Sequence, residues 1–235
     1  MTGIGKNFKQ YARGLKIRLK KTPYGEVWKD QTLDNELDFY DELYKNLPLL
    51  HENFIDYVKK KNDLKTVLEV GCGTGVYPIK FKELFSGMKY LGIDFSETAI
   101  EYCKKNSDFE FTTGDFIKMN LKKKFDLVFS HAVIDHVYDP DAFLTNIVKA
   151  CGKYAYVSAY RGYFPDLKKH NLEWNNRKGC YHNELSVRQI QSVLEKSGLK
   201  TNEFTIREQP NGKGEKDPKK NVDTVIEIHR ETGIN

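Results

Sequence analysis

Gly71, Gly73 and Gly75 fall at every second position directly after the apolar run Thr66-Val-Leu-Glu-Val70. Glycine lets a backbone turn sharply and brings its amides close to a ligand, so such a loop between a strand and a helix suits a nucleotide-like molecule. The dinucleotide pattern G-x-G-x-x-G requires glycine or alanine at position 76, where this chain has Val76; a nicotinamide or flavin dinucleotide is therefore not expected. Asp94 closes Leu91-Gly-Ile-Asp94, 23 residues beyond Gly71, near the roughly 20-residue offset that sets a carboxylate against ribose hydroxyls. Asp115, in Gly114-Asp115-Phe116, is a further carboxylate able to accept from an adenine amino group beside a ring.

A second group with chemical potential is Ser130-His131-Ala-Val-Ile-Asp135-His136-Val-Tyr-Asp-Pro140. It follows the strand-like Phe125–Phe129, and open α/β sheets bind ligands at the carboxyl ends of their strands. An alcohol attacking an electrophile must lose its proton, and histidine has the pKa to take it at neutral pH. His131 or His136 is the expected base, with Asp135 beside them; a purely structural histidine is the alternative for His136. The spacing of His131, Asp135 and His136, with Asp139 or His182 added, matches no recognised ligand pattern, so no metal is expected.

These residues need elements to hold them. Strand-like segments at 66–70, 90–93, 109–112, 125–129 and 154–158 alternate with helical stretches at 79–85, 98–105 and 140–150. That alternation predicts an α/β fold with a doubly wound, mostly parallel sheet and helices on both faces. Ser186 reads as an N-cap with Gln189 three residues on, opening a helix that ends at Gly198. Segments 201–207 and 222–230 alternate like two further strands, joined by a loop-like stretch from Gln209 to Asn221. Helical periodicity also marks residues 4–19 as a basic amphipathic segment and 33–60 as a helix interrupted at Pro48. The first of these packs on its own domain or, less simply, on a membrane surface.

The chain has 235 residues, 39% hydrophobic and 30% charged, which suits one folded domain and excludes a disordered or collagen-like chain. A net charge of +5 without a dense basic stripe gives no reason to expect a nucleic-acid partner. Cys72, Cys103, Cys151 and Cys180 form no C-x-x-C pair, which argues against a disulfide framework and fits a reducing compartment such as the cytoplasm. No apolar run is long enough for a membrane span.

In order and placement, the glycine loop, Asp94 and Asp115 resemble the class I S-adenosylmethionine-dependent methyltransferase family over residues 64–160. The resemblance implies a Rossmann-like, seven-stranded sheet with an antiparallel C-terminal hairpin, and S-adenosylmethionine as cofactor. It implies that Glu69, Gly71, Cys72, Gly73 and Gly75 form the first motif, with Glu69 toward the methionine end. Asp94 would take the ribose, with Phe95 against adenine; Asp115 and Phe116 would form the adenine-edge pair. Ser130 would close the fourth strand opposite the reactive methyl.

Residues 1–63 then form an N-terminal helical extension or lid, within which Trp28 either caps the cofactor or packs as core. Residues 64–235 form the methyltransferase domain, with an insert at about 160–184 on the substrate side. That insert carries Tyr160, Arg161, Trp174, Arg177 and His182. Rings beside amides and guanidinium groups suit a small polar acceptor such as a sugar or nucleotide sugar, with an arginine for a phosphate. An ordinary surface insert with packed aromatics is the alternative.

Overall fold

The computed structural model describes Tyr24, Gly25, Trp28, Asp34, Leu37, Asp38 and residues 48–176, 179–212, 214, 216 and 218–230. The expected amphipathic segment at 4–19, much of the expected helix before Pro48, and Arg177 lie outside the described residues.

Among the described residues nine strands and five α-helices follow in this order: α1 (Pro48–Lys59), β1 (Thr66–Val70), α2 (Val76–Lys80), β2 (Lys89–Asp94), α3 (Glu97–Asn106), β3 (Glu110–Thr113), β4 (Phe125–His131), α4 (Pro140–Ala150), β5 (Cys151–Ala159), β6 (Asn171–Asn175), β7 (Cys180–Glu184), α5 (Val187–Lys196), β8 (Phe204–Pro210) and β9 (Val222–His229). Seven strands form one sheet in the order β3-β2-β1-β4-β5-β9-β8. β1 to β5 run parallel, and β9 pairs antiparallel with both β5 and β8. This is the doubly wound sheet with an antiparallel C-terminal hairpin that the sequence alternation and the resemblance imply.

The sheet is covered on both faces, and its strands show why. In β4, Leu127 and Phe129 enter one apolar cluster while Val128 enters the other, as the two-residue period of a strand dictates. One cluster joins Val128 to Leu144 and Ile147 of α4 and Ile190 and Leu194 of α5. The other joins Leu127 and Phe129 to Phe54 of α1, Tyr77 of α2 and Phe85. Removing a ring as buried as Phe54 costs on the order of 3–5 kcal/mol.

Local chemistry fixes the helix starts. The Ser96, Asp139 and Ser186 side chains accept from the Ala99, Ala142 and Gln189 amides, at 3.1, 2.9 and 3.2 Å; Pro140 occupies the first turn of α4, where its missing N–H costs nothing. The expected helix at 79–85 is instead a short α2 followed by a 3₁₀ turn at Lys82–Phe85. The stretch at 160–184, which has no evident period, holds a separate two-stranded antiparallel sheet, β6–β7. Among the described residues no helix is long and apolar enough to cross a membrane.

Candidate active site

The sheet order reverses between β1 and β4, so the loops leaving those two strands part and leave a crevice. The first is the glycine loop. Gly71, Gly73 and Gly75 have φ of 78, 52 and 74°, a region L-residues seldom adopt. A Cβ on Gly71 would sit 2.1 Å from Val133, and one on Gly75 2.7 Å from the Cys103 sulfur. The loop is thus fixed by conformation and by contact. Asp94, at the end of β2, accepts the Gly73 amide at 2.7 Å and the Ser96 amide at 2.9 Å. Burial still holds its carboxyl above the usual range, against those backbone N–H groups.

Beside this loop a cleft of ≈ 580 Å³ opens over the ends of β2 and β3, lined by Phe95, Gly114, Asp115, Tyr138 and Tyr24 among others. The Asp115 carboxylate accepts from the Tyr138 hydroxyl at 3.0 Å and the Ile117 amide at 3.1 Å, with the Lys118 ammonium at 3.3 Å. Burial, and then that bond to Asp115, push the Tyr138 hydroxyl up to about 12. Tyr24 stands edge-on to Phe95 and Tyr138, at 5.6 and 4.7 Å between centroids, and Trp28 lies 5.8 Å from Tyr24 and 6.4 Å from Phe95. A Cβ on Gly25 would touch Phe95 at 2.8 Å. Tyr24, Gly25 and Trp28 thus all stand against Phe95 at this cleft.

Some expected site residues are placed elsewhere. Phe116, in the turn after β3, packs into the core against Phe143, 5.5 Å between centroids, and does not line this cleft. Glu69 and Ser130 are buried. Glu69 accepts from the Tyr90 hydroxyl, and burial holds its carboxyl well above the usual range despite that bond. Ser130 donates to the Val70 carbonyl at 2.8 Å, which stitches β4 to β1. Cys72 is buried, its sulfur 2.9 Å from where a Cβ on Gly92 would be.

The loop after β4 opens on Ala132, a non-glycine residue at φ 58°. The His131 ring lies among Phe54, Tyr77, Phe129 and Tyr156, stacked on Tyr77 at 5.1 Å, with Nδ1 2.8 Å from the Ser158 hydroxyl. Asp135 is fully buried and accepts the Tyr160 and Arg161 amides at 3.1 and 3.2 Å. Burial raises its carboxyl to about 7 against the Tyr160 amide, with Asp223 adding repulsion. A carboxylate so enclosed ties the loop after β4 to the chain after β5.

His136 Nδ1 lies 2.8 Å from the Tyr181 carbonyl and Nε2 2.9 Å from the Tyr160 hydroxyl. A carbonyl only accepts, so Nδ1 carries the proton and the Nε2 lone pair takes the Tyr160 O–H. Burial, then Asp135, push the Tyr160 hydroxyl up to about 12. The β6–β7 hairpin clasps this loop: the Asn183 amide donates to Ile134 and Val137 carbonyls at 2.9 and 2.8 Å, and its backbone N–H to Asp135 at 2.8 Å. Trp174 packs on Tyr181 across the hairpin, and His182 lies 5.8 Å from His136 between ring centroids. Sequence spacing gives no sign of the part Tyr138 plays at Asp115 or of the approach of Cys180 to His136; Cys180 and His182, two apart on β7, share a face.

A family model described as a methyltransferase domain matches residues 61–203. The chain belongs to this methyltransferase family. Its fold and motif order make it a class I, S-adenosylmethionine-dependent member. Curated relatives include malonyl-[acyl-carrier protein] O-methyltransferase 1 of Ilyobacter polytropus, 31% identical over 43% of this chain and 38% of that protein. Another is ribosomal protein L11 methyltransferase of Dictyoglomus turgidum, 33% identical over 42% of this chain and 33% of that one. The chain thus spans well under half of either relative's length. Among solved structures, magnesium protoporphyrin IX methyltransferase of Synechocystis PCC 6803 with bound S-adenosylhomocysteine superposes at TM-score 0.59 and 16% identity, over 90% of this chain and all of that one. That likeness is one of fold.

The methyltransferase's own residues fit the cofactor. The left-handed glycine loop, a carboxylate at the next strand end, and an open cleft with an aromatic wall and a second carboxylate stand in one row along the sheet edge.

Proposed function

We propose that this methyltransferase transfers a methyl group to a hydroxyl of a small polar acceptor, such as a sugar, a nucleotide sugar or a glycan precursor. In this reading Gly71, Gly73 and Gly75 pass under the methionine part of the cofactor, Asp94 takes the ribose, and Phe95 and Asp115 take the adenine. Residues before α1, with Tyr24 and Trp28, act as the lid. S-adenosylmethionine supplies an electrophilic methyl on its sulfonium and departs as S-adenosylhomocysteine.

One observation supports the hydroxyl acceptor above the others: His136 holds its proton on Nδ1 and directs the Nε2 lone pair at the Tyr160 hydroxyl. As the acceptor oxygen bonds to the methyl carbon and the carbon–sulfur bond breaks, the acceptor proton passes to Nε2, directly or through Tyr160. Such a base contributes typically 10²–10⁴-fold. His131, ringed by aromatic side chains, suits packing better than proton transfer. Trp174, Tyr181, Asn175 and His182 of the hairpin offer rings and amides to a polar ring, and Arg161 a cation; these support a sugar-like acceptor.

The test is incubation of purified protein with labelled S-adenosylmethionine and panels of sugars, nucleotide sugars, phenols, amines and proteins. Label on hydroxyl acceptors is expected. Label confined to amines or protein would remove the hydroxyl reading. Tyr160→Phe and His136→Gln are expected to lower kcat while leaving S-adenosylhomocysteine affinity within about threefold; unchanged kcat in His136→Gln rules it out as base.

A further inference from the structure

His136, Cys180 and His182 come from two parts of the chain that the sequence does not connect, the loop after β4 and the far strand of the β6–β7 hairpin. One ligand atom from each lies within 4.8 Å of the others. We propose that these three side chains bind a single divalent ion of the zinc class on the acceptor side of the fold.

The donor set argues for that class. A thiolate and two imidazoles prefer zinc, or cobalt in its place, over calcium or magnesium, which take oxygen. Geometry agrees. With metal–nitrogen bonds near 2.0 Å and metal–sulfur near 2.3 Å, tetrahedral ligand atoms lie about 3.5 Å apart. The Cys180 sulfur is 3.7 Å from His136 Nδ1, so that pair already has the required separation. The remaining separations are no more than 4.8 Å, a gap that side-chain rotation must close. Cys180 and His182 sit at i and i+2 of β7, on one face, and the Asn183 clasp to Ile134 and Val137 fixes that strand against the loop carrying His136. Three protein ligands leave a fourth position open, as in zinc sites that exchange a ligand and unlike closed structural ones.

Ligating histidines donate their second ring N–H to an acceptor. For His136, metal on Nδ1 moves the ring proton to Nε2, where the Tyr160 oxygen at 2.9 Å accepts it; the Tyr181 carbonyl, now 2.8 Å from Nδ1, must turn aside to admit the ion. For His182, the Asn175 side-chain amide lies 3.2–3.3 Å from the ring nitrogens. Binding displaces the Cys180 thiol proton into solvent. A corollary rests on the base assignment above: a loaded site has no lone pair at Nε2, so the ion and the base exclude each other, and zinc inhibits methyl transfer.

Cobalt(II) titration of the whole chain, followed by absorption, tests the site without any turnover. One equivalent per chain is expected, with a sulfur-to-cobalt charge-transfer band and the strong visible bands of four-coordinate cobalt. Cys180→Ser should abolish the charge-transfer band, and His182→Gln should weaken binding at least tenfold, while both variants retain S-adenosylhomocysteine binding by calorimetry. Absence of the band in wild-type protein that melts cooperatively overturns the proposal. So does a band that survives in Cys180→Ser, which assigns it to another thiol. Inactivity toward every acceptor leaves the cobalt result standing, and a spectrum without thiolate character leaves the methyl-transfer reading standing.

Discussion

The Gly73 amide donates to Asp94 Oδ2 at 2.7 Å, which makes the glycine loop after β1 and the acid at the end of β2 one hydrogen-bonded unit. The same carboxylate is the one proposed to meet the ribose, so it has two tasks. Asp94→Asn presents a side-chain amide donor to a backbone donor and removes the charge. Charge-assisted hydrogen bonds contribute about 1.5–3 kcal/mol, so S-adenosylhomocysteine binding is expected to weaken at least tenfold in calorimetry. Unaltered affinity would separate Asp94 from the cofactor.

Asp135 lies beneath the acceptor side and accepts two successive amides, Tyr160 and Arg161. Asp135→Asn keeps one acceptor and turns the other group into a donor facing an N–H. Stability measured by urea unfolding is expected to fall by about 1–3 kcal/mol, with S-adenosylhomocysteine affinity unchanged within about twofold. An affinity loss as large as that of Asp94→Asn would contradict a role confined to positioning.

Ala132 holds φ 58° directly after β4. Glycine adopts that region freely, whereas a β-branched residue is a severe outlier there. Ala132→Gly is expected to leave stability within about 0.5 kcal/mol, strain relief offsetting the added freedom of the unfolded chain. Ala132→Val should cost on the order of 1–3 kcal/mol. Equal melting temperatures for the two variants would refute the assignment.

His170 is lodged between α4 and α5: its Nδ1 accepts the Ser186 amide at 2.9 Å, and Nε2 lies 3.2 Å from Asp141. Burial depresses its pKa below the ordinary 6.5, although the nearby Asp141 pulls the other way. The unfolded chain therefore takes up a proton at higher pH than the folded one. The neutral-histidine contribution is present above about pH 6.5 and declines as pH falls from there toward the depressed folded value. Unfolding free energy measured against pH is expected to fall over that interval in the wild type, and less steeply in His170→Gln. Parallel curves would show that His170 titrates alike in both states.

The fold was legible because its elements are stated locally. The alternation of β-branched runs with capped helices names the order, and Ser186 with Gln189 marks the start of α5 to the residue. The placing of Gly71–Gly75, Asp94 and Asp115 was legible for the same reason: each sits at or just past a strand end. The β6–β7 hairpin was not, because its strands are polar and largely exposed in β6. It is held by Asn183 and backbone groups, which leave no apolar period. Nor does spacing reveal the approach of Cys180 to His136, 44 residues apart. Phe116 looks like a partner of Asp115 by adjacency, yet the turn that carries it packs it on Phe143.

β9 lies between β5 and β8, although β8 precedes it in the chain. During synthesis the β5 edge and β8 therefore both stay unpaired until residues 222–229, which join them, have emerged. The nascent chain spends this interval with a row of unpaired amides and carbonyls beside an apolar face, the state most prone to pairing with a neighbour. Insertion of β9 is thus the single event that closes the β5 edge and gives β8 its partner.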